Sequence, residues 1–266
     1  MRKFPGRRRA ALAAAAIVFA GLSARAQDGG GLARPFSSLQ AQIRRRPLRL
    51  AAPRDVFSHL SPARRRALLA SLPGRAKSRN GRPSVPLNLV FLGSAGQIRA
   101  ALAAAGWSQV PLTIYGSLSE SLDQLMNRRM PRIDFPPLKT FYVDGRPEDF
   151  NWVMVVRMLF KRHHFRLWDM RRRDSLGREI WSGGGNLDVS VDWKKATHRV
   201  DPNIDAERAF LARGLAASGA PVRLSVAPSP NVPRRGKDSD GFPFYTDGSV
   251  LVVEFPPYPF VSAARR

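Results

Sequence analysis

In Arg162-His163-His164-Phe165-Arg166-Leu167-Trp168, two of the four histidines of the 266-residue chain stand beside two arginines and a tryptophan. His198 lies in a second block, Thr197 to Arg208, among Asp201, Asp205 and Glu207. Imidazoles exchange protons near neutral pH and ligate metals, and paired guanidinium groups take phosphate or carboxylate through two parallel hydrogen bonds. Two chemistries follow. In the first, Arg162, Arg166 and Trp168, with His164 and His198, hold an anionic ligand. In the second, His163, His164 and His198 act as catalytic residues of a hydrolase. A divalent metal is its cofactor, bound by His164, His198, Asp188 and Asp205, and activates water. No HExxH-type signature is present, so a metal site would depend on tertiary approach alone. Whether the chain is an enzyme stays open.

Strand alternation sorts the double histidine. His163 shares a face with Phe165 and Leu167 and should point to the core. His164 shares the other face with Arg162, Arg166 and Trp168, a basic and aromatic surface. In the next strand Leu187, Val189, Val191 and Trp193 form the apolar side, while Asn186, Asp188, Ser190 and Asp192 form the polar side. A hairpin centred near Asp174 sets the histidines opposite Gly183 to Asn186. The side-chain-free positions there leave room for a ligand or a closely packed element. Asp201-Pro202 reads as an N-cap and first turn, with Asp205 and Glu207 on the positive end of the helix dipole.

The elements that must position these residues are short. Ser61-Pro62 starts a small helix with Leu68, Leu69 and Leu72 on one side, ended by Pro73-Gly74. Leu87 to Leu92 is a buried strand, Ala95 to Ala105 a helix stopped by Gly106, and Leu118 to Arg128 a second helix. Phe141 to Val143 is a strand. Lys161 to Met170 and Glu179 to Trp193 form a hairpin around the polar loop Arg171 to Arg178. A helix spans Pro202 to Ala217, and strands span Pro221 to Val226 and Ser249 to Phe255. The order, roughly β-α-α-β-β-β-α-β-β, predicts an α+β domain with a mixed or antiparallel sheet flanked by helices. No repeat with a period of about 20 to 50 residues stands out. Neither a Walker loop nor a dinucleotide-binding glycine fingerprint is present.

Residues 1–26 read as a signal peptide, with a basic start, an apolar run from Ala10 to Leu22 and the small-x-small pattern Ala24-Arg25-Ala26. Export to the periplasm follows, or an N-terminal membrane anchor if the segment stays uncleaved. Residues 27–82 form a basic linker with a short helix, 83–256 the α+β domain, and 257–266 a tail. The chain contains no cysteine, which excludes disulfides and thiolate metal sites. The net charge is +24, and residues 27–86 hold thirteen basic against two acidic residues. Such a segment suits an anionic envelope component or membrane surface as partner. Charge with scattered aromatics and no recognised module gives no reason to expect nucleic acid.

Five ordered blocks carry a further signal: "PLNLVFLGSAGQIRAALAAAGW" (86–107), "FYVDGRPEDF" (141–150), "RHHFRLW" (162–168), "IWSGGGNLDVSV" (180–191) and "THRVDPNIDAER" (197–208). Together they resemble the LssY-type C-terminal domain, a bacterial domain found alone or behind membrane phosphatase-like and DedA-like segments. The resemblance covers about 83 to 256. It implies a cell-envelope setting and brings no established activity. It maps the family's characteristic residues onto His163, His164, Asp188, His198, Asp201, Asp205, Glu207 and Arg208, and so adds Arg208 to the ligand-binding set. Two departures stand out: three glycines run to Asn186, and Arg199 stands where a second histidine is common.

Overall fold

The computed structural model describes residues 60–110, 139–157, 161–192 and 197–257. The signal-like segment, most of the basic linker, the helix expected over Leu118 to Arg128 and the tail after residue 257 lie outside the described residues.

Ser61 caps helix α1 (Pro62–Ala70), its hydroxyl accepting the Arg64 N–H at 3.3 Å, and Pro62 opens the first turn. Hairpin β1 (Arg75–Lys77) and β2 (Pro83–Pro86) leads into β3 (Leu89–Leu92), whose four residues are all buried. A Ser94/Gln97 capping box then starts α2 (Ala95–Ala104). Gly106, at φ 83°, turns the chain into β4 (Ser108–Val110). Beyond the undescribed stretch come hairpin β5 (Tyr142–Val143) and β6 (Arg146–Pro147), then the long strands β7 (Phe150–Arg157), β8 (Lys161–Arg173) and β9 (Glu179–Asp192). β10 (Thr197–Val200), α3 (Ile204–Ala217), β11 (Arg223–Pro228), hairpin β12 (Arg235–Lys237) and β13 (Pro243–Tyr245), and β14 (Ser249–Glu254) complete the chain.

The main sheet runs β11-β14-β3-β9-β8-β7-β4, with β10 added beside the far half of β9; β2-β1-β5-β6 forms a second, smaller sheet. β3 and β14 pair in parallel, Leu89 opposite Leu251. The other described neighbours are antiparallel. This is the α+β architecture expected, with more strands than the sequence order suggested. β7 was missed because Phe150 to Arg157 lacks period-2 alternation. It lies inside the sheet and buries both faces from Phe150 to Val153.

Both faces of the main sheet are covered. On one, Phe165 stacks on Phe91 and meets the edge of Trp107, with ring centroids 6.2 and 4.7 Å apart, and Trp107 in turn touches Phe210 of α3. On the other, Val90, Leu92, Trp168, Met170, Val250 and Val252 pack with Leu69 of α1 and with Leu72, Ala76 and Val85. The short helix and first hairpin therefore belong to the core, although the sequence places them in the basic linker.

Three local expectations change. First, β8 continues to Arg173, so the loop shortens to Asp174–Arg178, where the Asp174 carboxylate accepts the N–H groups of Leu176 and Arg178. The pairing shifts accordingly: His163 faces Leu187 and His164 faces Asn186. Second, two of the three glycines leave no room for a side chain. A Cβ on Gly184 would lie 2.4 Å from the Pro86 carbonyl oxygen, and one on Gly183 would lie 2.4 Å from that of Arg166. The run admits a closely packed backbone, the second of the two readings. Third, α3 begins at Ile204, capped by Asn203, because Pro202 and Asn203 are engaged by Tyr245: the Tyr245 N–H donates to the Pro202 carbonyl at 2.8 Å. Asp201 instead accepts the Asn203 N–H at 2.9 Å.

The fold also exposes a duplication that the sequence reading missed. Leu72-Pro73-Gly74-Arg75-Ala76-Lys77 and Val232-Pro233-Arg234-Arg235-Gly236-Lys237 begin two hairpins of the same design. In each, a four-residue turn ends in a left-handed glycine, Gly81 at φ 74° and Gly241 at φ 85°. A proline, Pro83 or Pro243, opens the second strand, and a buried strand follows. Those following strands, β3 and β14, are the parallel pair. Five of the twelve positions from Leu72 to Pro83 are identical to their counterparts from Val232 to Pro243, too short a match to stand out before the strands are placed.

Candidate functional site

Alternation along β8 sends Arg162, His164 and Arg166 to the face opposite Phe165, as expected. Across the ladder Arg162 pairs with Asp188 and His164 with Asn186, which brings the polar side of β9 to the same place. His198 arrives by a bulge. Arg199 lies opposite Ser190 but Val200 lies opposite Asp188, so β9 has one extra residue, Val189, in between. The bulge changes the phase of alternation. It turns Val189 outward, 41% exposed rather than on the apolar side expected, and puts His198 on the face of Asp188.

Asp188, 2% exposed, is the centre. Arg162 Nε donates to its Oδ2 at 2.8 Å, His164 Nδ1 lies 3.4 Å from Oδ1, and His198 Nδ1 lies 3.8 Å from Oδ2. Both imidazoles thus turn Nδ1 toward one carboxylate. Burial pushes the His164 pKa down to about 3, against the pull of Asp188, and Arg166 and Arg162 push the same way. Burial also lowers His198. Burial alone would raise the Asp188 carboxyl, but His164, Arg162 and His198 together hold it below its ordinary value. Near neutral pH the cluster is therefore an anionic carboxylate, a guanidinium and two neutral rings.

Arg166 is anchored on a group the sequence reading passed over. Its Nε lies 3.4 Å from Glu148, Nη2 donates to the Lys139 carbonyl at 3.1 Å, and the guanidinium sits 4.5 Å from the centre of the Phe141 ring. Glu148 in turn accepts the Phe141 N–H at 2.9 Å. The basic face is thus matched by buried carboxylates and lies in a pocket rather than on an open surface.

That pocket, of about 50 Å³, lies between the β8–β9–β10 surface, Val85 and Phe141 on one side and the tip of the β12–β13 hairpin, Asp238 and Asp240, on the other. It holds a few waters or a phosphate-sized group, not a whole drug-sized molecule. Lys139 pairs with Asp240 at its edge. Asp238, Asp240 and Lys139 carried no motif in the sequence, since only the fold brings their turns here. A larger groove, of about 620 Å³, opens beside Lys77, Arg79, Tyr142 and Asp144, and no imidazole lines it.

The remaining sequence-derived residues lie elsewhere. His163 faces the helix layer: Nδ1 is 2.5 Å from Glu207 Oε2 and the ring stacks on Phe210 at 3.7 Å. Burial, with Asp188 and Asp201 adding to it, pushes the Glu207 carboxyl well up. Trp168 is fully buried in the opposite core, where no ligand reaches it. Arg208 is spent on Asp247, at 2.9 and 2.8 Å, and on the Ser249 carbonyl. Asp205 accepts from Thr246 Oγ1 at 2.6 Å and from the Asp247 N–H at 2.7 Å. These contacts tie α3 to the turn before β14. His164, His198 and Asp188 converge, Asp205 does not join them, and no group of three His, Asp or Glu side chains is placed to hold a metal ion among the described residues.

No curated protein and no solved structure matches the chain. The family model described as "LssY C-terminus" matches residues 69–250, a span that holds the whole pocket and the core half of α1. With that span covering well over half of the sequence, the chain belongs to the LssY C-terminal domain family.

Proposed function

We propose that this domain binds a small anionic, phosphate-bearing group in the Asp188 pocket, and that it does so in the cell envelope. One observation carries the reading. Three long cations, Arg162, Arg166 and Lys139, line the same small cavity as two imidazoles held at Asp188. Guanidinium groups fixed by buried carboxylates are pre-organised donors, so less side-chain entropy is lost when a ligand oxygen arrives. His198, 19% exposed, is the more accessible imidazole and the natural contact for that oxygen. The envelope setting rests on the signal-like residues 1–26 and on the family's membrane-linked relatives.

The test is titration calorimetry of the purified chain with inorganic phosphate and with dimethyl phosphate, repeated on His198→Ala. Saturable binding of either probe, weakened about tenfold by the substitution, supports the proposal; a tenfold loss corresponds to the roughly 1.4 kcal/mol of one hydrogen bond. Binding of neither probe, or equal binding by His198→Ala, overturns it.

A further inference from the structure

We infer that the tip of the β12–β13 hairpin sets the charge selectivity of the pocket, restricting its ligand to a singly charged, phosphodiester-type group. The inference rests on the anion-binding reading above and names its ligand class. The pocket wall carries three basic side chains, Lys139, Arg162 and Arg166, and three acidic ones, Asp188, Asp238 and Asp240. Two of the three carboxylates come from one five-residue turn. That turn is fixed: the Asp238 carboxylate accepts the N–H groups of Asp240 and Phe242 at 2.8 and 2.9 Å. Its neighbours are held against the first hairpin, where Arg75 Nη2 donates to the Lys237 carbonyl at 2.6 Å and the Ser239 and Ser84 hydroxyls lie 3.0 Å apart. The acidic tip is therefore a built wall.

The equivalent turn of the first hairpin reads Ser78-Arg79-Asn80-Gly81-Arg82, whereas this one reads Asp238-Ser239-Asp240-Gly241-Phe242. The duplication thus supplies an internal contrast. The same backbone device is basic where it borders the larger groove and acidic where it borders the pocket. Near neutral pH, with uncharged imidazoles, the wall is balanced. A ligand bringing one negative charge is met by Lys139, which can exchange its Asp240 partner for the ligand. A ligand bringing two charges confronts Asp188, Asp238 and Asp240 with no further cation on the wall among the described residues. In a partly desolvated site one such repulsion is worth a tenfold factor or more.

The experiment compares dimethyl phosphate, a monoanion, with methyl phosphate, a dianion, by titration calorimetry at about pH 8. At that pH the second phosphate proton, with a pKa near 6, is lost. Wild type is expected to favour the diester by about tenfold, and Asp240→Asn to shrink that preference at least threefold while keeping the diester bound. Equal or tighter binding of methyl phosphate by wild type, or an unchanged ratio in Asp240→Asn, overturns the inference and leaves anion binding standing. Failure of both probes to bind wild type refutes the anion-binding reading itself. Asp238→Asn is the second variant, so the result does not depend on one substitution folding.

Discussion

Replacing Gly184 by alanine is the sharpest test of how the glycine run works. The added Cβ would lie 2.4 Å from the Pro86 carbonyl oxygen and 3.5 Å from Val85 Cγ2. Carbon and oxygen rest about 3.3 Å apart, so roughly 0.9 Å must be recovered by moving backbone. Neither side gives easily. β9 is laddered to both β3 and β8, and β2 is held by its pairing with β1 and by Arg75 Nε, which donates to the Ser84 carbonyl at 2.8 Å. Overpacking of this kind costs about 1–3 kcal/mol. For a domain of this size, about 3 kcal/mol lowers Tm by roughly 6–12 °C. Gly185→Ala is the matched control. Its nearest contacts, Glu207 Cγ and Phe165 Cβ, are at 3.3 Å, and both belong to side chains. Its loss should stay under about 1 kcal/mol, or roughly 4 °C. Circular dichroism melts of the three proteins decide the matter. A Gly184→Ala melt within about 1 °C of wild type, or a larger loss in Gly185→Ala, would refute the steric argument and return the glycines to a ligand role.

Two other outcomes follow from buried charge. Arg178 is 4% exposed and bridges Asp174 at 2.7 Å, Glu254 at 3.1 Å and the Phe255 carbonyl. Arg178→Leu takes the buried guanidinium from two carboxylates, leaving Asp174 with backbone N–H donors alone and Glu254 with Arg65, so urea unfolding should register a loss of about 3–5 kcal/mol. The pH dependence has a definite sign at His164. Its folded pKa lies below its unfolded value, so the unfolded chain takes up the proton first and stability falls as pH drops from about 6.5 toward about 3. Asp188, also lowered, loses its contribution in the same direction, whereas the raised Glu207 opposes it. His164→Asn should flatten the decline between pH 6.5 and 4 in urea titrations; an unchanged slope would remove His164 as its source.

Much of the site was legible. Period-two alternation separates His163 from His164, and the structure places one against Glu207 and Phe210 and the other against Asp188. A local cap also read correctly where Ser61 precedes Pro62. What stayed hidden is what depends on tertiary contact. The Val189 bulge that turns His198 inward has no residue signature, because any residue can occupy such a position. Trp168 looked like a ligand contact because alternation groups it with Arg162 and His164. Alternation gives a face but not what covers it, and α1 with the first hairpin covers that end. Glu148 and Asp240 stand in turns whose composition signals only turns, so their part in neutralising Arg166 and Lys139 had to come from the fold.

The parallel pairing of β3 with β14 has a consequence for how the chain reaches this state. Two hairpin–strand units entering one sheet in the same direction must lie parallel, and here the partners are separated by most of the domain. Loop closure over such a distance is slow, and it comes last during synthesis. Until Ser249 to Glu254 emerges, β3 presents the unpaired edge Leu89-Val90-Phe91-Leu92, without charge or proline to blunt it. A nascent or truncated chain ending before Ser249 is therefore the form most exposed to aggregation and to holdase chaperones, and the last strand to form is the one that closes the hazard.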